Sequence, residues 1–178
     1  MYLVLMKSSL KILILSFLVL FSACKKSQEG STVDQIEQNK SQEITEQDVA
    51  KLKYIEYALD SKTKGIIQDW VEYSQIKEVV GDIKKGDLTF FNDNEEAIKL
   101  LLKDLKQNTP EALNSSSIVA RMLVLETKLL ILESLANLST TTKEELLETI
   151  KEFFVSFYTL SFQMNKKVEF DNRSIEKP

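Results

Sequence analysis

Apolar residues recur at spacings of three and four residues along most of this chain from residue 48 onward. The clearest run is Ile118, Met122, Leu125, Leu129, Leu132 and Ala136. That spacing places side chains on one face of an α-helix, whereas a strand would need alternation with a period of two. Such alternation, and the dipeptides typical of hairpin turns, are missing between the apolar runs. The 178-residue chain is therefore predicted to be all-α, an up-and-down bundle of about four helices.

The first predicted stripe covers residues 48–83, as one long helix or two in series. It contains Leu52, Ile55, Leu59, Ile66, Trp70, Tyr73, Ile76, Val80 and Ile83. Gly65 is its weak point, because glycine lowers helix stability by about 1 kcal/mol relative to alanine. Lys84 and Gly86 favour an end to the helix at that point. Leu88 to Phe91 is too short for a hairpin, and we expect a loop that places both Phe rings in the core.

The second predicted helix is capped by Asn92 or Asp93 and ends before Pro110. Its stripe is Ala97, Ile98, Leu101, Leu102 and Leu105. The third helix starts after the run Asn114–Ser117. Its apolar stripe is widened by Val119, Leu123, Leu130 and Ile131. A stripe that wide predicts a central helix that is contacted on more than one side.

The fourth predicted helix opens with Thr142 and Glu145, the residue types of a capping box. Its stripe consists of Leu146, Ile150, Phe153, Phe157, Leu160 and Met164, flanked by Phe154 and Tyr158. The apolar pattern fades near Lys166. The folded domain is therefore predicted to cover residues 48–168, followed by a polar tail over residues 169–178.

The first 23 residues have the composition of a signal peptide. Lys7 and Lys11 precede an almost purely apolar run from Ile12 to Phe21, which is too short to span a bilayer comfortably. Small residues follow, and then the only cysteine of the chain, Cys24. Met6 lies directly before the first lysine, and we expect translation to start there rather than at Met1.

The sequence Phe21-Ser22-Ala23-Cys24 resembles the lipobox of bacterial lipoprotein signal peptides, with Phe21 where leucine is the commonest residue. The resemblance covers only this segment. It implies cleavage between Ala23 and Cys24, acylation of Cys24 and anchoring of the mature chain in a membrane by that lipid. The alternatives are an ordinary cleaved signal peptide, or an uncleaved anchor helix, that happens to end at a cysteine.

Residues 24–47 are polar, and we expect the acylated cysteine to be followed by a flexible tether. The resemblance places the domain outside the cytoplasm, on the cell membrane or the outer membrane. Lys25 occupies the position where aspartate would resemble the inner-membrane retention signal of enterobacterial lipoproteins. The outer membrane is therefore favoured if the cell has two membranes.

Several kinds of chemistry are disfavoured by composition. The chain has no histidine, which excludes histidine metal sites and Ser-His or Cys-His catalysis. Its net charge of −4 makes nucleic acid an unlikely partner. Asn92 to Glu96 is the only dense cluster of oxygen ligands, and we interpret it as a helix N-terminus rather than a metal site. We predict a protein that is not an enzyme and has no cofactor.

Arg121 and Trp70 are the candidate contacts for a ligand or a partner. Arg121 interrupts an apolar run. It either has a structural role, as an ion pair with an acid such as Asp69 or Asp104 or as a side chain that extends from the apolar surface to water, or it recognises an anionic ligand or partner. Glu126 and Glu133 on the same helix likewise have either a structural role or a role in recognition. Trp70 and the aromatic residues of the fourth helix either fill the core or line an apolar pocket.

Two functions follow from this sequence. In the first, the bundle is a non-catalytic interaction module that docks another envelope protein through a helix face. In the second, a pocket between helices binds a lipid or another small hydrophobic ligand. A large exposed apolar patch would favour docking, and a cavity of some hundreds of Å³ would favour ligand binding.

Overall fold

The computed structural model describes residues 43–173. The signal peptide, Cys24 and most of the tether lie outside the described residues, as do residues 174–178. The described chain is all-α and contains no strand. Its helices are α1 (Glu46–Val49), α2 (Ser61–Ile66), α3 (Val71–Lys84), α4 (Glu95–Gln107), α5 (Ser116–Ala136) and α6 (Lys143–Asp171). Within these residues, no helix is both long and apolar enough to cross a membrane.

Four of these helices are long, and they form the predicted bundle around one hydrophobic core. The largest interface joins α5 to α6, while α4 packs against both α3 and α5. The stripe predicted for α6 is buried along its whole length, and the helix continues to Asp171, beyond the predicted end of the domain. Thr142 caps this helix as expected, since its hydroxyl accepts a hydrogen bond from the Glu145 N–H at 3.2 Å.

The most extensively buried helix is α6 rather than α5. Besides its apolar residues it buries Thr149, Ser156 and Ser161. Each of their hydroxyls donates to a backbone carbonyl one turn earlier in the same helix, which satisfies that donor within α6. Counting only apolar side chains therefore underestimated how much of this helix is buried.

Helix α5 contacts both α4 and α6, as expected for a helix contacted on more than one side, but most of the residues that widen its stripe are not buried. Val119, Leu123 and Ile131 are between 38% and 49% exposed. Leu130 is half-buried against the core. The inner stripe is confirmed, with Leu129 completely buried. Helix α5 thus has one buried face and one partly exposed apolar face.

The prediction of helix over residues 50–60 is wrong. After the short helix α1, Lys51 lies in a turn and residues 52–60 have no regular secondary structure, and we call residues 51–60 the strap. Leu52 and Leu59 are half-buried, but Ile55 is 66% exposed. Their helical spacing is therefore accidental. The two tyrosines of the strap, Tyr54 and Tyr57, instead contact aromatic rings of α6.

The domain begins earlier than residue 48. Ile44 lies in the core at 6% exposure, and Thr45 forms a capping box with Asp48 at the start of α1. Gly86 explains how this segment packs. It has a φ of +84°, and a Cβ at this position would lie 2.8 Å from the Ile44 carbonyl oxygen. The turn predicted after Lys84 is therefore also a close contact with the chain that enters the domain.

The short segments between the helices complete the core. Residues Thr89–Phe91 form a 3₁₀ turn in which Phe91 is fully buried and Phe90 packs against the core, as predicted. The cap of α4 is Asn94 rather than Asn92 or Asp93. Its side-chain amide donates to the Phe90 carbonyl at 2.9 Å instead of capping the helix.

Candidate functional site

The strap lies across α6 and is held there by side chains. The Asn165 amide donates to the Ala58 carbonyl at 2.8 Å and accepts from the Asp60 N–H at 3.1 Å. The Tyr57 ring lies 4.7 Å from the ring of Phe162, centroid to centroid. No backbone–backbone hydrogen bond to the rest of the described chain is made by residues 53–59. These few side-chain contacts therefore determine where the strap lies.

A cleft of about 520 Å³ forms where the strap meets α2, α3 and α6. We call it the strap cleft. It is lined by Tyr57, Ala58 and Leu59 of the strap, by Lys64, Ile67 and Gln68 around α2, by Tyr73, Ser74, Lys77, Val80, Gly81 and Lys84 of α3, and by Phe157, Tyr158 and Ser161 of α6. A volume of this size, with mostly apolar and aromatic walls and a few polar groups, is typical of small-molecule sites.

The aromatic wall of the cleft is backed by Trp70. Trp70 is 2% exposed, and its ring stacks on Tyr73 with centroids 5.5 Å apart. Tyr73 in turn stacks on Phe157 at 5.4 Å. Burial raises the pKa of Tyr73 to about 12, although the Ser161 hydroxyl lies 2.9 Å from its phenol oxygen and opposes that rise. The structure thus places Trp70 in the core, behind the cleft rather than in its lining.

Two buried polar atoms near the cleft have no hydrogen-bond partner among the described residues. They are Thr63 Oγ1 and the indole Nε1 of Trp70. Both belong to the segment that contributes Lys64 and Ile67 to the cleft wall. Buried polar atoms normally have a hydrogen-bond partner, so these two atoms are exceptions within the described chain.

Gly81 leaves the cleft open on its α3 side. A Cβ built at this position would meet no atom within 4 Å. Glycine inside a helix lowers stability by about 1 kcal/mol relative to alanine, and nothing in the packing requires it here. Its missing side chain contributes directly to the space in the cleft. A glycine in the middle of a helical pattern is a signal that the sequence contained, but only the fold connects it with the strap.

An ion pair closes one end of the cleft. Lys84 Nζ lies 2.7 Å from Glu56 Oε1 and 2.8 Å from the Tyr158 hydroxyl, which also donates to Glu56. Burial alone would lower the pKa of Lys84, but these two partners more than offset it and hold the pKa above its ordinary value. Burial would likewise raise the pKa of Glu56, yet its bonds to Lys84, Tyr54 and Tyr158 keep it below the ordinary value.

The remaining charges of the cleft are positive. Lys64 and Lys77 line it, both are exposed, and neither forms an ion pair with another described residue. No aspartate or glutamate belongs to the lining. The cleft therefore combines an apolar, aromatic interior with uncompensated positive charge.

Arg121 lies elsewhere, on the exposed side of α5. The ion pair expected with Asp69 or Asp104 is not formed, and Arg121 has no ion pair within the described residues. It lines a smaller cleft of about 260 Å³ between α5 and α6, together with Val124 and Val155. Arg121 and Trp70, the two residues singled out from the sequence, are thus not brought together.

The two glutamates of α5 have structural partners. Glu126 pairs with Lys106 of α4 at 2.6 Å. Glu133 is buried, and it accepts a hydrogen bond from the Asn137 side chain at 2.9 Å. Neither is available for recognition in this conformation.

Within residues 43–173 there is no group of three or more acidic, histidine or cysteine side chains that could hold a metal ion. Comparison with protein-family models, with curated proteins and with solved structures finds no match to this chain.

Proposed function

We propose that this chain is a bacterial envelope lipoprotein whose helical domain is a non-catalytic binding protein, and that the strap cleft receives a small hydrophobic ligand. The cleft has the volume and the aromatic lining of such a site. The interior between Tyr57, Tyr73 and Phe157 offers contact area to an apolar molecule. Lipid anchoring through Cys24 would keep this domain at a membrane, where apolar ligands are concentrated.

The observation that carries the proposal is the open space beside Gly81. Alanine would fit there without contact and would favour the helix, so the glycine leaves room where stability alone would fill it. Stability is commonly given up at functional sites in this way.

Mass spectrometry of small molecules that co-purify with the protein tests this proposal. The wild-type protein is expected to retain an apolar compound after purification from its native envelope, and Gly81→Leu, which adds a bulky side chain to the wall of the cleft, is expected to lose it. Gln75→Leu is the matched control, because Gln75 is an exposed residue of the same helix that does not line the cleft. Equal recovery from all three proteins would contradict the proposal.

The docking function is the second candidate. It is supported by the partly exposed apolar residues of α5, Val119, Leu123, Val124 and Ile131. Arg121 stands on the same helix without an ion pair among the described residues. Crosslinking in intact cells from a photoreactive residue at position 123, compared with one at exposed Gln107 of α4, tests it. A partner captured only from position 123 would support docking through this face.

Anchoring is tested at Cys24 itself. The mature N-terminal peptide is expected to begin at Cys24 and to carry acyl chains, on either the cell membrane or, in a cell with two membranes, the outer membrane. A peptide mass that corresponds to unmodified Cys24 would contradict the lipoprotein assignment. Cys24→Ser should release the protein from the membrane fraction.

A further inference from the structure

We infer that the ligand of the strap cleft is an anionic amphiphile, with an apolar body between the tyrosines and a single anionic group at Lys64 and Lys77. This inference rests on the proposed function and specifies the class of ligand. A carboxylate or a phosphate monoester attached to an alkyl or aromatic body has this chemistry.

The charges of the cleft lead to this ligand class. Lys84 is already neutralised by Glu56, 2.7 Å away, and by its contact with Tyr158. Lys64 and Lys77 have no such partner within the described chain, and the lining contains no acid that would repel an anion. Asp60, one helical turn before Lys64, is instead engaged by the Thr63 N–H at 2.7 Å. Two exposed lysines in the lining of a mostly apolar cleft are complementary to one anionic head group.

The exposed and the buried residues of the cleft lining favour different parts of an amphiphilic ligand. Lys64 and Lys77 are exposed, so an anion beside them keeps contact with water and its desolvation cost stays low. Tyr73 and Phe157 of the same lining are buried, and beside them a charge would be costly and an apolar group is favoured. The cleft therefore orients an amphiphile with its head outward.

Two fluorescent probes that differ only by one sulfonate test the inference. They are anilinonaphthalene sulfonate and neutral phenylnaphthylamine, each titrated into the mature chain with Cys24→Ser, which needs no detergent. The anionic probe is expected to bind more tightly. The double variant Lys64→Gln/Lys77→Gln should bind the anionic probe about 3- to 10-fold more weakly, because it loses two solvent-exposed charge contacts. Its affinity for the neutral probe should stay unchanged. Lys103→Gln, an exposed lysine of α4 without an ion pair to another described residue, is the control.

The outcomes separate this inference from the proposed function. If both probes bind equally and the lysine variant changes neither, the anionic head group is refuted and the ligand-binding function stands. If neither probe binds, both proposals are refuted. Circular dichroism and thermal melting of each variant verify that the native fold is retained, because the anionic probe also binds loosened states.

Displacement of the probe distinguishes the possible sources of the anion. Dodecanoate represents a fatty acid, dodecyl phosphate represents a lipid head group, and dodecanol is the neutral control of the same chain length. Stronger displacement by either anion than by dodecanol supports the inference, and the stronger of the two identifies the head group. Equal displacement by dodecanol would overturn it.

Discussion

At the scale of single residues, the three glycines of the described chain have different structural roles. Gly86 has a left-handed backbone and touches the chain at Ile44, whereas Gly81 and Gly65 have free space where a side chain would be. The sequence identified Gly86 as a helix end, because it follows two lysines at the end of an apolar run. It could not identify the role of Gly81, since that depends on the strap lying nearby.

Alanine substitutions at two of these glycines should change stability in opposite directions. Gly86→Ala forces a side chain onto a positive φ and against backbone 2.8 Å away, so we expect a loss of at least about 1–2 kcal/mol. Gly81→Ala should stabilise the domain by about 0.5–1 kcal/mol, through helix propensity alone. Urea unfolding midpoints measure both effects. A loss at Gly81 comparable to that at Gly86 would contradict the described packing.

Asp48 should make the stability of the domain depend on acid pH. Its hydrogen bond to Lys143, helped by those to Thr45, lowers the pKa of Asp48 to about 2, below its ordinary value of 3.8. The stability that this carboxylate contributes is therefore complete above about pH 4 and is lost as the pH falls towards 2. We expect the Asp48→Asn variant to be less stable than the wild type at neutral pH and to lose less stability than the wild type when the pH is lowered.

Thermal melting between pH 2 and pH 7 tests this pH dependence. Glu46→Gln is the control, because Glu46 is exposed on the same helix and forms no ion pair within the described chain. A curve for Asp48→Asn that runs parallel to the wild-type curve would refute the role of the Lys143 contact.

At the scale of secondary-structure elements, the apolar periodicity predicted the three helices after residue 92 and failed before residue 61. The inner stripes of α5 and α6 are buried as expected, because each helix packs along its whole length against another. The strap has Leu52, Ile55 and Leu59 at helical spacing, but the residues of α6 that hold it in place are Asn165 and Phe162. Those partners lie about a hundred residues later in the chain, so no local pattern could reveal them.

The two faces of α5 should respond differently to truncation. Leu129 is fully buried, and Leu129→Ala is expected to cost about 2–5 kcal/mol. Ile131 lies on the other face at 39% exposure, and Ile131→Ala should cost less than about 1 kcal/mol. Chemical unfolding of the two variants gives both values. Equal losses would mean that α5 is enclosed on both sides after all.

The strap should loosen when its attachment to α6 is removed. Asn165→Ala deletes the two hydrogen bonds to Ala58 and Asp60, each of which contributes about 0.5–1.5 kcal/mol. Chymotrypsin should then cleave after Tyr57 about five times faster or more. Gln163→Ala is the control, because Gln163 reaches only Ser117 at 3.4 Å and has no contact with the strap. An unchanged rate of cleavage would show that the strap is held in place without the two Asn165 hydrogen bonds.

At the scale of the whole molecule, the proposals combine an anchor, a tether and a binding domain. If residues 24–47 form the proposed tether, a random coil of about 20 residues would have a root-mean-square reach of about 25 Å and would hold the domain close to the membrane surface. The fold places a cleft of about 520 Å³ in that domain, with exposed lysines in its lining. A domain in this position would receive an amphiphile that leaves the membrane without carrying out any reaction on it.

The central claim is that the strap cleft is a ligand site, and binding of phenylnaphthylamine to a cleft-filling variant tests it most directly. Wild type and Gln75→Leu are expected to bind the probe with the same affinity. Gly81→Leu, whose new side chain occupies the open space beside α3, is expected to bind it at least about tenfold more weakly while melting at or above the wild-type temperature. Undiminished binding by a stably folded Gly81→Leu would contradict the claim.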